Sequence, residues 1–266
     1  MAHPYRRDSS PPETPMRRSA EDRLGKLRSV HRATRRGVVV PLVFAMGLLV
    51  LASFLGATAD GLRGLLLSLP FSLACFALLA IPALRRRGLC IEVHDGGLVV
   101  LQGRARAVVV FEDVDEIWLV LDRRSSPAGD MAIICAVRLV EHGGAEHTVP
   151  LDVELGYEIT RHIVRHCSLP LAADAEQALR AGETLTFGKV RIDAEAILLG
   201  ESRAAWKDLR LVRMQPGRIA FFRGQTLIPW RTISLDKVPH PTVFMSLVRA
   251  CATRIEDDDP LGAYTK

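Results

Sequence analysis

Two hydrophobic patterns divide the chain. From Val38 to Ala59 the sequence VVVPLVFAMGLLVLASFLGATA carries no charge, and Gly64 to Leu84 is a second charge-free run. Only Asp60, Gly61, Leu62 and Arg63 separate them. Roughly 20 apolar residues at 1.5 Å each span a hydrocarbon layer of about 30 Å. The pattern therefore predicts a transmembrane helical hairpin over 37–84, with spans at about 38–59 and 64–84. A soluble helix is normally amphipathic, with a polar stripe that both runs lack.

Beyond Gly88 the period shortens to that of strands. Leu89–His94 alternates, and Asp95-Gly96-Gly97 is a hairpin turn signal. Leu98–Leu101, Ala107–Phe111, Val114–Leu121, Met131–Val140 and His147–Leu151 are further predicted strands. Leu155, Ile159, Ile163 and His166 then recur at helical spacing, which predicts an amphipathic helix over 153–167, ended by Leu169-Pro170. Ala172–Ala181 reads as a connecting helix. The plan then repeats: predicted strands at Leu185–Phe187, Val190–Ile192, Ile197–Leu199, Ala204–Trp206, Leu209–Met214, Arg218–Phe222 and Thr226–Trp230 precede a helix opening at Pro241, where a missing N–H is harmless. Phe111-Glu112-Asp113-Val114 and Trp206-Lys207-Asp208-Leu209 mark equivalent points. The chain thus holds an internal repeat of about 80 residues.

The expected organisation follows: a disordered basic tail (1–36), the hairpin (37–84), a first repeat (88–168), a linker (169–183), a second repeat (184–254) and an acidic disordered tail (255–266). The Pro-, Ser- and Arg-rich start has too little apolar surface to offset ordering entropy.

Charge adds an orientation. The net charge is +5, and residues 1–36 hold fourteen charges against two in 38–84. Arg32, Arg35 and Arg36 flank the first run and Arg85, Arg86 and Arg87 follow the second. By the positive-inside rule these predict a multi-pass protein of the bacterial inner (cytoplasmic) membrane with both termini in the cytoplasm. Ala57-Thr58-Ala59 looks like a signal-peptidase site, yet cleavage there leaves the C-terminal region on the same side. The five Cys (75, 90, 135, 167 and 251) form no CxxC pair, so neither a disulfide framework nor a zinc site is supported.

The order of Leu24-Gly25, two apolar runs, Arg87-Gly88, the Asp-Gly-Gly-Leu hairpin, Phe111-Glu-Asp-Val-Asp-Glu-Ile-Trp118 and Leu179-Arg-Ala-Gly-Glu-Thr-Leu-Thr-Phe-Gly188 resembles an uncharacterised family of bacterial membrane proteins. That family pairs a two-helix anchor with pleckstrin-homology-like (PH-like) domains. The resemblance covers roughly 24–253, with Phe111 standing where relatives tend to have Trp. It implies an α+β architecture: a two-helix transmembrane hairpin, then two tandem PH-like domains, each a bent antiparallel sheet plus a C-terminal helix. It transfers no activity and no functional residues.

Candidate chemistry is sparse. His162 and His166 lie one helical turn apart, a metal-compatible spacing, but no third ligand accompanies them, and packing against the sheet is the simpler role. His142 and His147 flank a Gly-Gly turn. Glu112, Asp113, Asp115 and Glu116 sit at a strand entry, where alternate side chains point to opposite faces. Trp118, Trp206 and Trp230 suit a small β-core and lack the basic interleaving of an RNA-stacking surface. No phosphate-loop pattern or nucleophile elbow occurs. The expectation is therefore a non-enzyme without cofactor: a membrane-tethered cytoplasmic interaction or scaffold module. Its partners would be the lipid bilayer and a protein or peptide, not nucleic acid. The alternative is a protein that interacts with inner-leaflet lipid.

Overall fold

In the computed structural model of the chain, the described residues are 20–33, 35–60, 70, 73–74, 76–77, 81, 88–126, 129–215 and 217–257. They begin with a short helix, α1 (Ala20–Leu24), and a strand, β1 (Leu27–Arg32), both inside the segment expected as a tail. β1 pairs antiparallel with β2 (Leu89–His94), from Leu27 opposite His94 to Arg32 opposite Cys90, with an irregularity at Arg28. β3 (Gly97–Gln102) and β4 (Ala105–Val110) complete a sheet of order β1-β2-β3-β4. The alternating burial of β2 puts Leu89, Ile91 and Val93 in the core, as the period-2 pattern requires.

A 3-10 turn at Phe111–Asp113 ends this sheet and starts the next. There β5 (Val114–Ser126), β6 (Gly129–Glu141) and β7 (Glu146–Pro150) pair in sequence order. Helix α3 (Gly156–Ile163) continues through a π turn at Val164–Ser168 into α4 (Leu169–Arg180). Pro170 starts α4 rather than stopping a helix, because the first turn needs no N–H from it.

The second half follows the same plan. β8 (Leu185–Phe187), β9 (Val190–Ile192), β10 (Ala196–Leu199) and β11 (Ser202–Ala205) form a sheet in sequence order. A 3-10 turn at Trp206–Asp208 leads into β12 (Leu209–Gln215), β13 (Arg218–Arg223) and β14 (Arg231–Ser234). Helix α5 (Pro241–Cys251) closes the half, and β15 (Ile255–Asp257) adds to β12 in parallel. Residues 226–230, predicted as a strand, form an exposed loop instead, and Leu227 and Ile228 are among its exposed side chains.

Sheet order aligns β1 with β8, so the first repeat begins in the twenties rather than at residue 88. β8 and β9 are joined by Gly188-Lys189 alone, whereas residues 33–88 lie between β1 and β2. The apolar segment is therefore an insertion within the first repeat. Helix α2 (Arg35–Asp60) occupies its first part, with Val43, Phe44, Val50 and Phe54 exposed.

These observations correct the expected architecture. The described residues form a mostly β chain of four sheets with few helices, not a transmembrane hairpin followed by two PH-like domains. Each half holds two sheets, because its 3-10 turn breaks the strand run. Several α2 side chains lie outside the described residues, as does the second expected span apart from six positions. Among the described residues no helix is long and apolar enough to cross a membrane. The expected multi-pass inner-membrane location falls with the spans.

The two repeats share one core. Its buried members include Ile91, Leu98, Leu139 and Ile159 from the first half and Phe187, Ile219, Phe221 and Phe244 from the second. Across the junction the His240 N–H donates to the Ile117 carbonyl (2.8 Å), and His240 Nε2 lies 2.7 Å from the Asp115 carbonyl. A carbonyl only accepts, so Nε2 carries the proton.

Candidate ligand-binding cleft

The residues singled out from sequence are mostly structural. Arg32 ends β1, and its carbonyl accepts the Glu154 N–H at 2.9 Å. Arg35 and Arg36 open α2, their side chains outside the described residues, and Arg85, Arg86 and Arg87 lie outside them entirely. Two other arginines of the basic N-terminal stretch serve the first repeat. Arg23 donates twice to Asp113 (2.8 and 2.7 Å), and Arg28 donates to Asp95. The Arg28 guanidinium holds the Asp95 carboxyl below the usual range.

His162 and His166 come together, ring centroids 4.4 Å apart, and both pack on Phe111 at 5.5 Å. His162 Nε2 donates to the His94 carbonyl at 3.0 Å. Burial pushes both pKa values down. Among the described residues no group of three or more His, Cys, Asp or Glu is placed to hold a metal. The acidic cluster disperses: Asp113 binds Arg23, Glu116 accepts the Trp118 indole N–H at 2.9 Å, and the Asp115 carbonyl faces His240. His142 donates from Nδ1 to the Asp113 carbonyl, and His147 pairs with Glu141 at 3.1 Å. Trp206 is in the core, while Arg138 and Arg223 stack on Trp118 and Trp230 at 5.1 and 5.7 Å. Burial drives the Cys167 thiol up to about 12, so it holds no thiolate at neutral pH.

A site missed from sequence lies in the second repeat, where the tips of two hairpins meet the β13–β14 pair. Gly188, at φ +62°, opens the two-residue β8–β9 turn and places Lys189 at its tip. A Cβ there would lie 3.4 Å from Pro239 Cδ and 3.5 Å from the Lys237 carbonyl, so this turn packs against the segment that carries Lys237. The Gly200 N–H ties the β10–β11 turn to the Lys189 carbonyl at 3.2 Å. On β13 and β14, Arg218 lies opposite Ser234 and Arg231 opposite Phe221.

The result is a cleft of about 400 Å³. Lys189, Arg218, Arg231 and Lys237 contribute its charge, and Val190, Leu199 and Ile233 its apolar lining. Thr232 and Ser234 also line it, and the Ser234 hydroxyl donates to the Asp236 carboxylate, next to Lys237. All four cationic residues are exposed, whereas Val190 and Ile233 are buried. Arg231 Nη2 donates to Ser202 Oγ at 3.1 Å and Arg218 Nε to Gln215 Oε1 at 2.9 Å. Such an arrangement can hold an anion in a concave, partly apolar setting. The four cations are scattered singly over 189–237, so no local motif announces them.

A search of the curated proteins finds no match. Among solved structures, a chain from the structure of the Spt16D Pob3N heterodimer is similar at 9% identity, covering 56% of this chain and 86% of that one. Its TM-score of 0.18 carries no argument about fold. The family expected from the residue pattern was one of unknown function, and that much holds, while its membrane, bacterial and PH-like features find no support. The model described as "Family of unknown function (DUF6585)" matches residues 1–256, and the chain belongs to that family.

Proposed function

We propose that the protein is a non-enzymatic binding module that takes an anionic ligand in the cleft of the second repeat. The observation carrying this reading is that Lys189, Arg218, Arg231 and Lys237 all line one concave surface. The non-enzymatic part is supported by the fate of reactive side chains: the Asp113 and Glu116 carboxylates are engaged by Arg23 and Trp118, and the Cys167 thiol is buried. A peptide partner, the class expected from sequence, would use the same region by pairing with β14, which ends its sheet among the described residues.

Calorimetric titration of the full chain with sulfate, citrate and pyrophosphate tests the reading. The expected result is saturable binding that weakens with salt and is lost in the Arg218→Gln/Arg231→Gln double variant. No saturable binding of any of the three refutes it.

A further inference from the structure

The loop joining β13 to β14, residues 224–230, presents apolar side chains that the fold does not use. Leu227 is 87% exposed and Ile228 77%, the highest values for large apolar side chains among the described residues. Their exposure is built rather than slack. Gly224, at φ +57°, turns the chain out of β13 in a left-handed conformation. Thr226 Oγ1 lies 3.1 Å from both the Arg223 and the Ile228 carbonyls and can donate to either, while Arg210 Nη2 donates to the Thr226 carbonyl at 3.3 Å. Pro229 restricts the backbone before Trp230. The Trp230 N–H donates to the Phe221 carbonyl at 2.7 Å, and the Arg223 guanidinium lies over its indole at 5.7 Å. A loop tied down in this way has little conformational freedom left to lose on binding.

We infer that this loop is a wedge that seats Leu227 and Ile228 in the interface of an anionic lipid surface. Size favours lipid over a protein partner. Two adjacent side chains on one loop fall well short of the roughly 800 Å² per partner of a standard protein interface, whereas a bilayer interface receives them without a complementary pocket. Charge points the same way. From Leu209 to Leu235 the chain carries five arginines and no Asp or Glu. Two of them touch the loop, Arg210 through the Thr226 carbonyl and Arg223 through the Trp230 ring. Arg223 also lies 3.6 Å from Asp208, so its charge is partly balanced, while the acceptor that holds Arg210 is neutral. Arg213 pairs with Glu256 at 2.7 Å and adds nothing here. Trp230, half-buried, follows the exposed pair, and its amphipathic ring suits the level of the headgroups. Carbon, indole and guanidinium thus match acyl chain, interface and anionic headgroup. The contact is peripheral and calls for no spanning helix.

The test mixes the full chain with vesicles of phosphatidylcholine brominated on its acyl chains, alone and with phosphatidylglycerol. With phosphatidylglycerol the tryptophan fluorescence is expected to be quenched, and Trp230→Phe is expected to remove most of that quenching, since Trp206 is in the core and Trp118 in the other repeat. The Leu227→Asn/Ile228→Asn double variant is expected to weaken the vesicle affinity read from quenching about a hundredfold, about tenfold for each side chain returned to water. Its urea midpoint should not move, because neither side chain is packed. Arg210→Gln is expected to weaken the affinity about fivefold, the effect of one charge near anionic lipid. The inference is overturned if the parent shows no quenching, if the double variant retains it, or if phosphatidylglycerol makes no difference. Flotation with vesicles in the absence of Trp230 quenching assigns the contact to another surface, such as the exposed side chains of α2, and also overturns it. A dimer that the double variant converts to monomer in sedimentation, with no quenching in either, makes a second copy the occupant and overturns it too. The anion titrations of the cleft do not involve Leu227 or Ile228, so either reading can fail without the other.

Discussion

Replacing His240 tests whether the two repeats unfold as one unit. The residue sits at φ 46°, ψ 54° just before α5, is only 8% exposed, and sends two hydrogen bonds into β5 of the other repeat. His240→Ala keeps the N–H bond to Ile117 and removes the imidazole. The Asp115 carbonyl then loses a buried donor, at about 1–3 kcal/mol. The left-handed conformation already strains His240 as it would alanine, so that term cancels, and the vacated ring volume adds a cavity cost. The total is about 2–4 kcal/mol. His240→Gly removes the same side chain without the strain and is expected to be about 1 kcal/mol less damaging than alanine. The assay is urea unfolding followed by tryptophan fluorescence and far-ultraviolet circular dichroism, with Trp118 reporting on the first repeat and Trp206 and Trp230 on the second. The shared core leads to one coincident transition in the parent chain. Two separated transitions in the parent, or a loss below about 1 kcal/mol in His240→Ala, would refute the reasoning.

Acid should weaken the fold early. His162, His166 and His240 all have pKa values lowered chiefly by burial, so each binds a proton less readily in the folded than in the unfolded chain. Their stabilisation is complete above the unfolded value of about 6.5 and declines as pH falls below it, by at most about 1.4 kcal/mol per pH unit for each proton. Thermal melts from pH 7.5 to 5 check this, and a flat midpoint across that range contradicts it. At Gly97 an added Cβ would lie 2.2 Å from the Val109 carbonyl oxygen and 2.6 Å from Leu24 Cδ2, whereas at Gly143 it meets nothing within 4 Å. Gly97→Ala is therefore expected to cost about 2–3 kcal/mol in urea unfolding, and Gly143→Ala under about 0.5 kcal/mol; equal effects would defeat the packing account.

Local pattern made much of this fold legible, and pairing over distance hid the rest. The Asp95-Gly96-Gly97 turn, the strands around it and the stripe Val243, Phe244, Leu247 and Val248 of α5 all follow from spacing, because their burial repeats with the element's own period. β1 was invisible for a physical reason. Leu27–Arg32 is rich in basic residues, and its strand character comes from a ladder with residues some sixty positions later. β15 is similar: the acidic Ile255–Asp257 joins β12 through backbone groups, to which composition is blind. The basic stretch that read as a membrane flank proves partly internal, since Arg23 and Arg28 pair with acids of the first repeat. The cleft escaped notice because its cations come from a turn tip, two paired strands and the segment after β14.

The β1–β2 ladder also has a mechanical meaning. The strands are antiparallel, and residues 33–88 leave from Arg32 and return at Leu89, so both ends of the insertion are held at one end of the ladder. A pull on the insertion loads that end, together with the contacts of Arg32 and Ala33 to Glu154 and Val153. It would open the pairs in succession from Arg32–Cys90 towards Leu27–His94, as a zipper opens, instead of shearing them together. At the far end the load meets the Arg23–Asp113 clasp and Leu24, buried against Val99 and Val110. Tension on the insertion is thus borne first by the edge of the first repeat, and the cleft-bearing repeat lies outside the line of force.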